Sequence, residues 1–491
     1  MKQDLKTAVK SNNFSYFWLL IGTILFVFAN GKWIIPVAAW LAPVFILRFV
    51  RTQKPIHGLV ISLLAIMIVY VVAWRGLIPL QHMFYYMVAG GIALTFWLAF
   101  LVDRLVTPQL KGFAGTLVFP LTWVSLEYVY TLLNPFSSSG TLAYTQFGNY
   151  SLVQIVSVTG IWGVSFLITW FAAVINWAWE QDFSWQQIRL GVGLYAGVLA
   201  LVMLFGGLRL AIFAPQASTV RIDTVISTPE TEGLPNKDVI DNYLERTKRQ
   251  ARAGADIVIW DEGAVFVTQE DESGFVARCC ELARKEGIYL LIGLCVPGVV
   301  ANRGDAVNKI IWIDSSGEVV FEHRKHFLIP GGHFIAGDGQ LRMDSTPYGI
   351  ITAAICMDLD HPPFICQAGR ANADILLAPS LDWEEIDPIH TRMASFRAVE
   401  NGFSLVRATG KGLSAAFDYH GCTLASADFF TTNGKSMVSY VPTQGVKTAY
   451  SVIGDLFAWL CMLGVVVIIG WVVLTRLSHA DHREAHVGSQ I

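Results

Sequence analysis

The sequence predicts a multi-pass α-helical membrane bundle of about eight spans joined to a layered α/β domain. Three observations carry this. The chain of 491 residues is 54% hydrophobic and only 15% charged, too few charges to cover a water-soluble protein of this length. The charged side chains are concentrated between residues 219 and 447, whereas 1–214 and 451–475 are strongly apolar. Inside the charged region, short β-rich runs alternate with helical ones. The expected organisation is an N-terminal bundle over 1–214, an α/β domain over 219–447, a last spanning helix over 451–475 and a tail over 476–491.

A spanning helix needs roughly 20 apolar residues. Seven such segments precede the domain, near 15–30, 33–49, 57–74, 82–102, 113–133, 152–179 and 190–213, and the eighth follows it. They succeed one another without a small-residue cleavage site, so the start of the chain reads as a first span rather than a removable signal. Basic residues alternate along the loops. Lys2, Lys6 and Lys10 precede the first span, Arg48, Arg51 and Lys54 follow the second, and Arg104 and Lys111 follow the fourth. The intervening loops hold Lys32, Arg75 or, over 134–151, none. The positive-inside rule then places both termini in the cytoplasm and the domain outside. Glu127 lies within the fifth segment, where a carboxylate either marks function or a paired charge, or reaches interfacial water.

The net charge of −3, with no basic cluster, gives no footprint for nucleic acid. Seven cysteines are present without a CxxC pair, so no zinc site, no other metal and no cofactor is expected. The tail TRLSHADHREAH (475–486) holds three histidines and reads as a solvated segment.

Within the domain, TVRIDTVI (219–226), DIVIW (256–260), IYLLIGL (288–294), NKIIWID (308–314), GIITAAIC (349–356), DILLAP (374–379) and FSLVRAT (403–409) read as strands. Residues 237–253, 272–286 and 392–401 read as helices, the first two ended by Gly254 and Gly287. Functional side chains in such sheets gather at strand ends. Glu262 follows DIVIW, Lys325 follows VVFEHR, and Cys356 ends GIITAAIC with Asp358 next but one. A cysteine at a strand-to-turn junction is expected to face solvent at the sheet edge, as a nucleophile requires. A cation beside it favours the thiolate and a developing oxyanion, and a carboxylate can move the protons. Each residue alone also fits an ordinary role, the cysteine in the core and the charges in solvated loops.

Five segments resemble one family. They are IVIWDEGAV (257–265), HRKHFLIPGGHF (323–334), AAICMDLDHP (353–362), RMASFRAVENGFSLVRATGKGLSAAFDYHG (392–421), and, in the membrane part, GTLAYTQFGNYSLVQIVSVTGIWGVSFLI (140–168). The domain resembles the nitrilase, or carbon–nitrogen hydrolase, superfamily. The chain from about 115 to 475 is similar to that superfamily's membrane-bound branch, the apolipoprotein N-acyltransferases. The resemblance implies a four-layer αββα sandwich beside the bundle. It makes Glu262 the general base, Lys325 the oxyanion-stabilising cation and Cys356 the nucleophile. It also implies a phospholipid acyl donor, a diacylated apolipoprotein acceptor, a thioester intermediate and a monomer in the bacterial cytoplasmic membrane.

The chain departs from the family's pattern in places. His333 stands where a glutamate is usual, and Met357 and Asp358 stand where Tyr-Glu is common. The first strand runs into ISTPE (226–230) instead of V-Q-G-N, and NPFSSS (134–139) replaces G-F-P-W. His333, Met357 and Asp358 are the residues expected to flank the triad. Three readings follow: apolipoprotein N-acyl transfer, a related membrane acyltransferase or amidase with another acceptor, and a non-catalytic protein that keeps the fold.

Overall fold

The computed structural model describes residues 14–80, 82–215, 218–228, 233–298, 305–432 and 436–488, with side chains to residue 476. Lys2, Lys6 and Lys10, residues 229 and 230 of the 226–230 segment, and the side chains of the tail histidines lie outside the described residues.

Before the domain the chain forms α1 (Ser15–Val27), α2 (Pro36–Thr52), α3 (Pro55–Ala73), α4 (His82–Val106), α5 (Val118–Leu133), two single turns α6 (Tyr150–Val153) and α7 (Val156–Thr159), α8 (Trp162–Glu180) and α9 (Trp185–Ile212). Six helical stretches among the described residues are long and apolar enough to cross a membrane: 55–73, 82–109, 112–133, 162–180, 185–212 and 456–476. The first two helices are shorter, 13 and 17 residues, and pack against each other. At a rise of about 1.5 Å per residue, α1 covers about 20 Å, short of the roughly 30 Å hydrocarbon thickness.

The sixth expected span begins later than the periodicity predicts. Residues 150–159 form two separate turns, and Gly160, at φ +64, redirects the chain into α8. A Cβ there would lie 2.7 Å from the Tyr450 ring, so the break also seats a contact that a larger residue would block. The end of the chain is broken in the same way. A turn α14 (Ala449–Ile453) ends at Gly454, and α15 (Leu456–Gly488) begins the long apolar helix.

Glu127 is 1% exposed and accepts from Trp123 Nε1 and from the backbone N of Leu142, both at 2.9 Å. It is thus paired inside the protein and does not reach interfacial water. The carboxylate ties the loop after α5 back onto that helix.

The domain's strands are β1 (Thr219–Val225), β2 (Ile257–Trp260), β3 (Val265–Phe266), β4 (Tyr289–Val296), β5 (Val307–Ile313), β6 (Val319–Arg324), β7 (Met343–Thr346), β8 (Gly349–Ala353), β9 (Ile375–Leu381), β10 (Ser404–Gly410), β11 (Leu413–Phe417), β12 (Thr423–Asp428) and β13 (Val438–Pro442). They form two sheets. One runs β13-β1-β2-β4-β5-β6 with β3 beside β4, the other β12-β11-β10-β9-β8-β7. Alternate side chains explain why these strands read as continuous apolar runs. Ile257 and Ile259 point between the sheets, onto Ile375, Leu377 and Val406. Val258 and Trp260 point the other way, against the helices α10 (Asn236–Arg252) and α11 (Glu272–Glu286). On the far side, Leu376 and Leu405 meet α12 (Pro362–Arg370) and α13 (Ile389–Asn401). The result is the four-layer αββα sandwich.

The sandwich sits on the bundle through α13, whose Met393, Phe396 and Val399 join the bundle's apolar core. Polar bonds close the seam. Trp383 Nε1 donates to Gly76 O at 2.9 Å, and Ser138 Oγ donates to Asp360 O at 2.5 Å. Arg397 Nη2 donates to Tyr144 Oη at 3.1 Å.

Candidate active site

The ends of β2, β6 and β8 converge, one from the first sheet's centre, one from its edge and one from the facing sheet. Glu262 leaves β2 beside β4, where Gly293 allows the closest approach. A Cβ on Gly293 would lie 2.1 Å from the Asp261 carbonyl oxygen. The Glu262 carboxylate is then held from three sides. Oε1 accepts from Lys325 Nζ at 2.5 Å and from Asn308 Nδ2 at 2.7 Å, and Oε2 accepts from the backbone N of Leu381 at 3.0 Å. The pair is buried, Glu262 at 6% exposure and Lys325 at 5%. Burial works against the Lys325 charge, but Glu262 and Cys356 outweigh it and hold the ammonium's pKa above the ordinary lysine value.

Cys356 opens a one-turn 3-10 helix with φ +48, a left-handed conformation that costs a non-glycine residue about 1–2 kcal/mol. The turn lifts the thiol off the strand axis. It does not deliver it to solvent, as the strand-end position predicts; Cys356 is only 4% exposed, packed between the sheets, because α13 and the bundle's loops roof the sheet edge. Sγ lies 3.8 Å from the carbonyl oxygen of Leu381. One residue, Leu381, therefore presents its N–H to the carboxylate and its carbonyl to the thiol. Burial, and then the Glu262 charge, push the Cys356 thiol pKa far up, with Lys325 opposing them. At neutral pH the resting state is a thiol beside a carboxylate–ammonium pair.

Of the three residues expected to flank the triad, Asp358 has a clear task. Its Oδ1 accepts from the backbone N of His326 and Phe327 at 3.1 and 2.9 Å, and its Oδ2 accepts from the backbone N of Ile355 at 3.1 Å. His323 Nε2 adds a contact at 3.1 Å. Asp358 thus fastens the lysine segment to the cysteine turn. Met357 is buried and lines the same cavity as Cys356. His333 lies at the surface, its side chain 84% exposed and its Nδ1 3.7 Å from Asp305.

The sequence does not single out a second charged group beside the thiol. His390 Nδ1 lies 2.7 Å from Asp382 Oδ1, and its Nε2 lies 3.0 Å from Asp360 Oδ1. Arg407 Nη2 reaches Asp382 Oδ1 and His390 Nδ1, both at 2.8 Å. All four are buried, and burial and Arg407 act against the imidazolium. Asp360 and Asp382 outweigh them and push the His390 pKa up to about 9. Cys356, Asp382 and His390 hold donor atoms within 4.8 Å of one another. Both imidazole nitrogens and Asp382 Oδ1 are already engaged, so the cluster is a two-cation, two-anion network rather than an open metal site. Two signals pointed to it: Asp382 follows β9 as Glu262 follows β2, and Arg407 interrupts an otherwise uncharged, largely apolar strand.

Cys356 forms one wall of a cavity between the domain and the bundle. Its other walls include Leu77, Ile78, Val88, Ile92, Tyr130 and Trp383. A bundle of apolar helices carrying a two-sheet sandwich, with cysteine, lysine and glutamate buried at its strand ends, defines a membrane-embedded protein of the carbon–nitrogen hydrolase class. Residues 228–444 match the carbon-nitrogen hydrolase family, and residues 22–174 match the apolipoprotein N-acyltransferase N-terminal domain. The chain belongs to the apolipoprotein N-acyltransferase family, a bacterial membrane-protein family of acyltransferases.

It is 26% identical to an apolipoprotein N-acyltransferase of Geobacter metallireducens over 404 residues, 75% of this chain and 76% of the relative. It is 24% identical to one of Gloeobacter violaceus over 482 residues, 88% of this chain and 89% of the relative. An amidase from Nesterenkonia sp. is similar in structure at 20% identity and a TM-score of 0.40, over 47% of this chain and 92% of the amidase.

Proposed function

We propose that the chain takes a fatty acyl group from a membrane phospholipid onto Cys356 and passes it to the α-amine of the lipid-modified N-terminal cysteine of an apolipoprotein. The observation that carries this reading is the position of Cys356. The thiol lies at the junction of an apolar cavity walled by bundle helices and a buried Glu262–Lys325 pair.

In the first half, Sγ attacks the ester carbonyl while Glu262 takes the thiol proton. Lys325 balances the oxyanion, which forms beside it in a site of low dielectric. Collapse breaks the ester C–O bond. The proton returns to the leaving alkoxide, which departs as a lysophospholipid. In the second half, the acceptor amine attacks the thioester, Glu262 takes its proton, and Sγ leaves and is reprotonated. Asp358 and the His390 network hold the thiol's turn in register.

The domain faces the extracytoplasmic side in this reading. Loops poor in Lys and Arg meet the domain at Gly76 and Ser138. The basic end lies with Arg51, bonded to Asp103 at 2.7 Å and to Glu180 at 3.1 Å. That distribution supports cytoplasmic termini.

The test uses full-length protein with a phospholipid labelled in its acyl chain. Label retained on Cys356 as a hydroxylamine-sensitive adduct, then chased to a diacylated lipopeptide with a free α-amine, is the expected result. Absence of label on folded protein overturns the reading. Label that the lipopeptide cannot discharge points to a different acceptor.

A further inference from the structure

We propose that the cleft on the far side of Glu262, the more polar of the two chambers that meet there, holds the peptide segment that follows the acceptor's amine. The acceptor then straddles the catalytic pair, lipid in the apolar cavity and peptide in the cleft. This rests on the function proposed above.

Two cavities meet at Leu381, which lines both. The first is apolar and contains Cys356. The second is a cleft of about 330 Å³ among domain residues only, with Leu234, Asn236, Asp261, Glu262, Phe266 and Lys411 on its walls. The backbone of Leu381 is the partition, its N–H bonded to Glu262 at 3.0 Å and its carbonyl 3.8 Å from Cys356 Sγ. An amine attacking a thioester on Sγ while yielding its proton to Glu262 must sit at this join. In a lipid-modified N-terminal cysteine, the α-amine is itself the join, with the lipid on one side and the peptide on the other. The two chambers match the two halves in polarity and in order.

The other exits fit a peptide less well. The seam between domain and bundle is bridged by the Trp383–Gly76 and Ser138–Asp360 bonds. The recess at the outer end of the bundle carries Lys32, Arg75 and His82 against one carboxylate, Glu385. Its charge opposes an α-ammonium, whereas in the cleft the carboxylates Asp261 and Glu262 outnumber the one cation on its wall, Lys411. Its wall is also pre-shaped, since Asn236 holds the Phe266 backbone from both sides.

The experiment compares diacylglyceryl-cysteine amide with a diacylglyceryl-cysteinyl pentapeptide as acceptors for preformed acyl-enzyme. The pentapeptide should react with a KM about tenfold lower, what one or two peptide hydrogen bonds contribute. Leu234→Trp, which fills the cleft, and Lys411→Glu should each bring the two acceptors together by raising only the pentapeptide's KM. A photoreactive residue at the third position should cross-link to the 233–239 or 264–266 segment. Equal KM values in the native protein, or cross-links to Lys32 or Tyr86 instead, overturn the cleft assignment. Failure to form acyl-enzyme from phospholipid overturns the underlying function, and is read separately before any acceptor is added.

Discussion

Lys325 Nζ lies 2.5 Å from Glu262 Oε1, and the two residues, 63 positions apart in the chain, are both buried. Neither charge is tolerable there without the other, because an unpaired buried ion loses its hydration and gains nothing in return.

Removing one partner should therefore unfold as well as inactivate. Glu262→Gln is expected to destabilise the protein by about 3–5 kcal/mol and to lower turnover by roughly 10²–10⁴-fold. Glu262→Gln combined with Lys325→Met should recover most of the melting temperature and none of the activity. Thermal unfolding and the thioester assay read the two effects, and a single Glu262→Gln variant with native turnover would remove Glu262 from the base role.

The thiol itself should be unreactive when nothing occupies the site. Burial and the Glu262 charge raise its pKa, so iodoacetamide should modify Cys356 at pH 8 more slowly than it modifies free cysteine. The rate should still be climbing above pH 9. Lys325→Met removes the larger of the two opposing cations, Arg407 being the other, and should move the curve further up. A rate plateau near neutral pH would show a standing thiolate.

Asp358 should matter through what it holds. Asp358→Ala strips an acceptor from three backbone N–H groups and the His323 ring. A loss of about 2–4 kcal/mol is expected, since each buried donor left unpaired costs about 1–3 kcal/mol and partial relaxation recovers some of it. Acyl-enzyme formation should fall with it, and Asp358→Asn should keep part of both. Denaturation midpoints together with labelling rates decide, and an intact rate in Asp358→Ala would show that the lysine segment holds its place without this tie.

His390 should give the protein a stability that fails at alkaline pH. Its native pKa, about 9, lies above the ordinary value of 6.5. Its contribution is complete below pH 6.5 and is lost as pH rises through about 9. Held between Asp360 and Asp382 with Arg407 and Cys356 beside it, the charged form is worth roughly 3 kcal/mol. Melting temperatures between pH 6 and 10 should fall in the native protein and fall less in His390→Gln. Parallel curves would assign the alkaline loss to another group.

Much of this molecule is legible in one dimension. Burial on both faces gives β2, β4 and β9 largely apolar runs, and the helix stops at Gly254 and Gly287 follow from their left-handed backbone, φ +96 and +70. The spanning helices declare themselves by length and hydropathy, and the three reactive residues by standing where strands end. Local periodicity carries these because each depends on neighbours a few residues away. The breaks at Gly160 and Gly454 escape the same reading, since an apolar turn and an apolar helix have the same composition.

What the tertiary structure decided is distance and water. The sequence by itself determined which residue types were available: a thiol, an ammonium, three carboxylates, an imidazole and a guanidinium spread over several strands, turns and a helix. Only folding placed His390 between Asp360 and Asp382, closed Cys356 off from solvent and set Leu381 between thiol and carboxylate. Electrostatic and proton-transfer chemistry depends on separations of a few ångströms and on local dielectric, and neither quantity is carried by position along a chain.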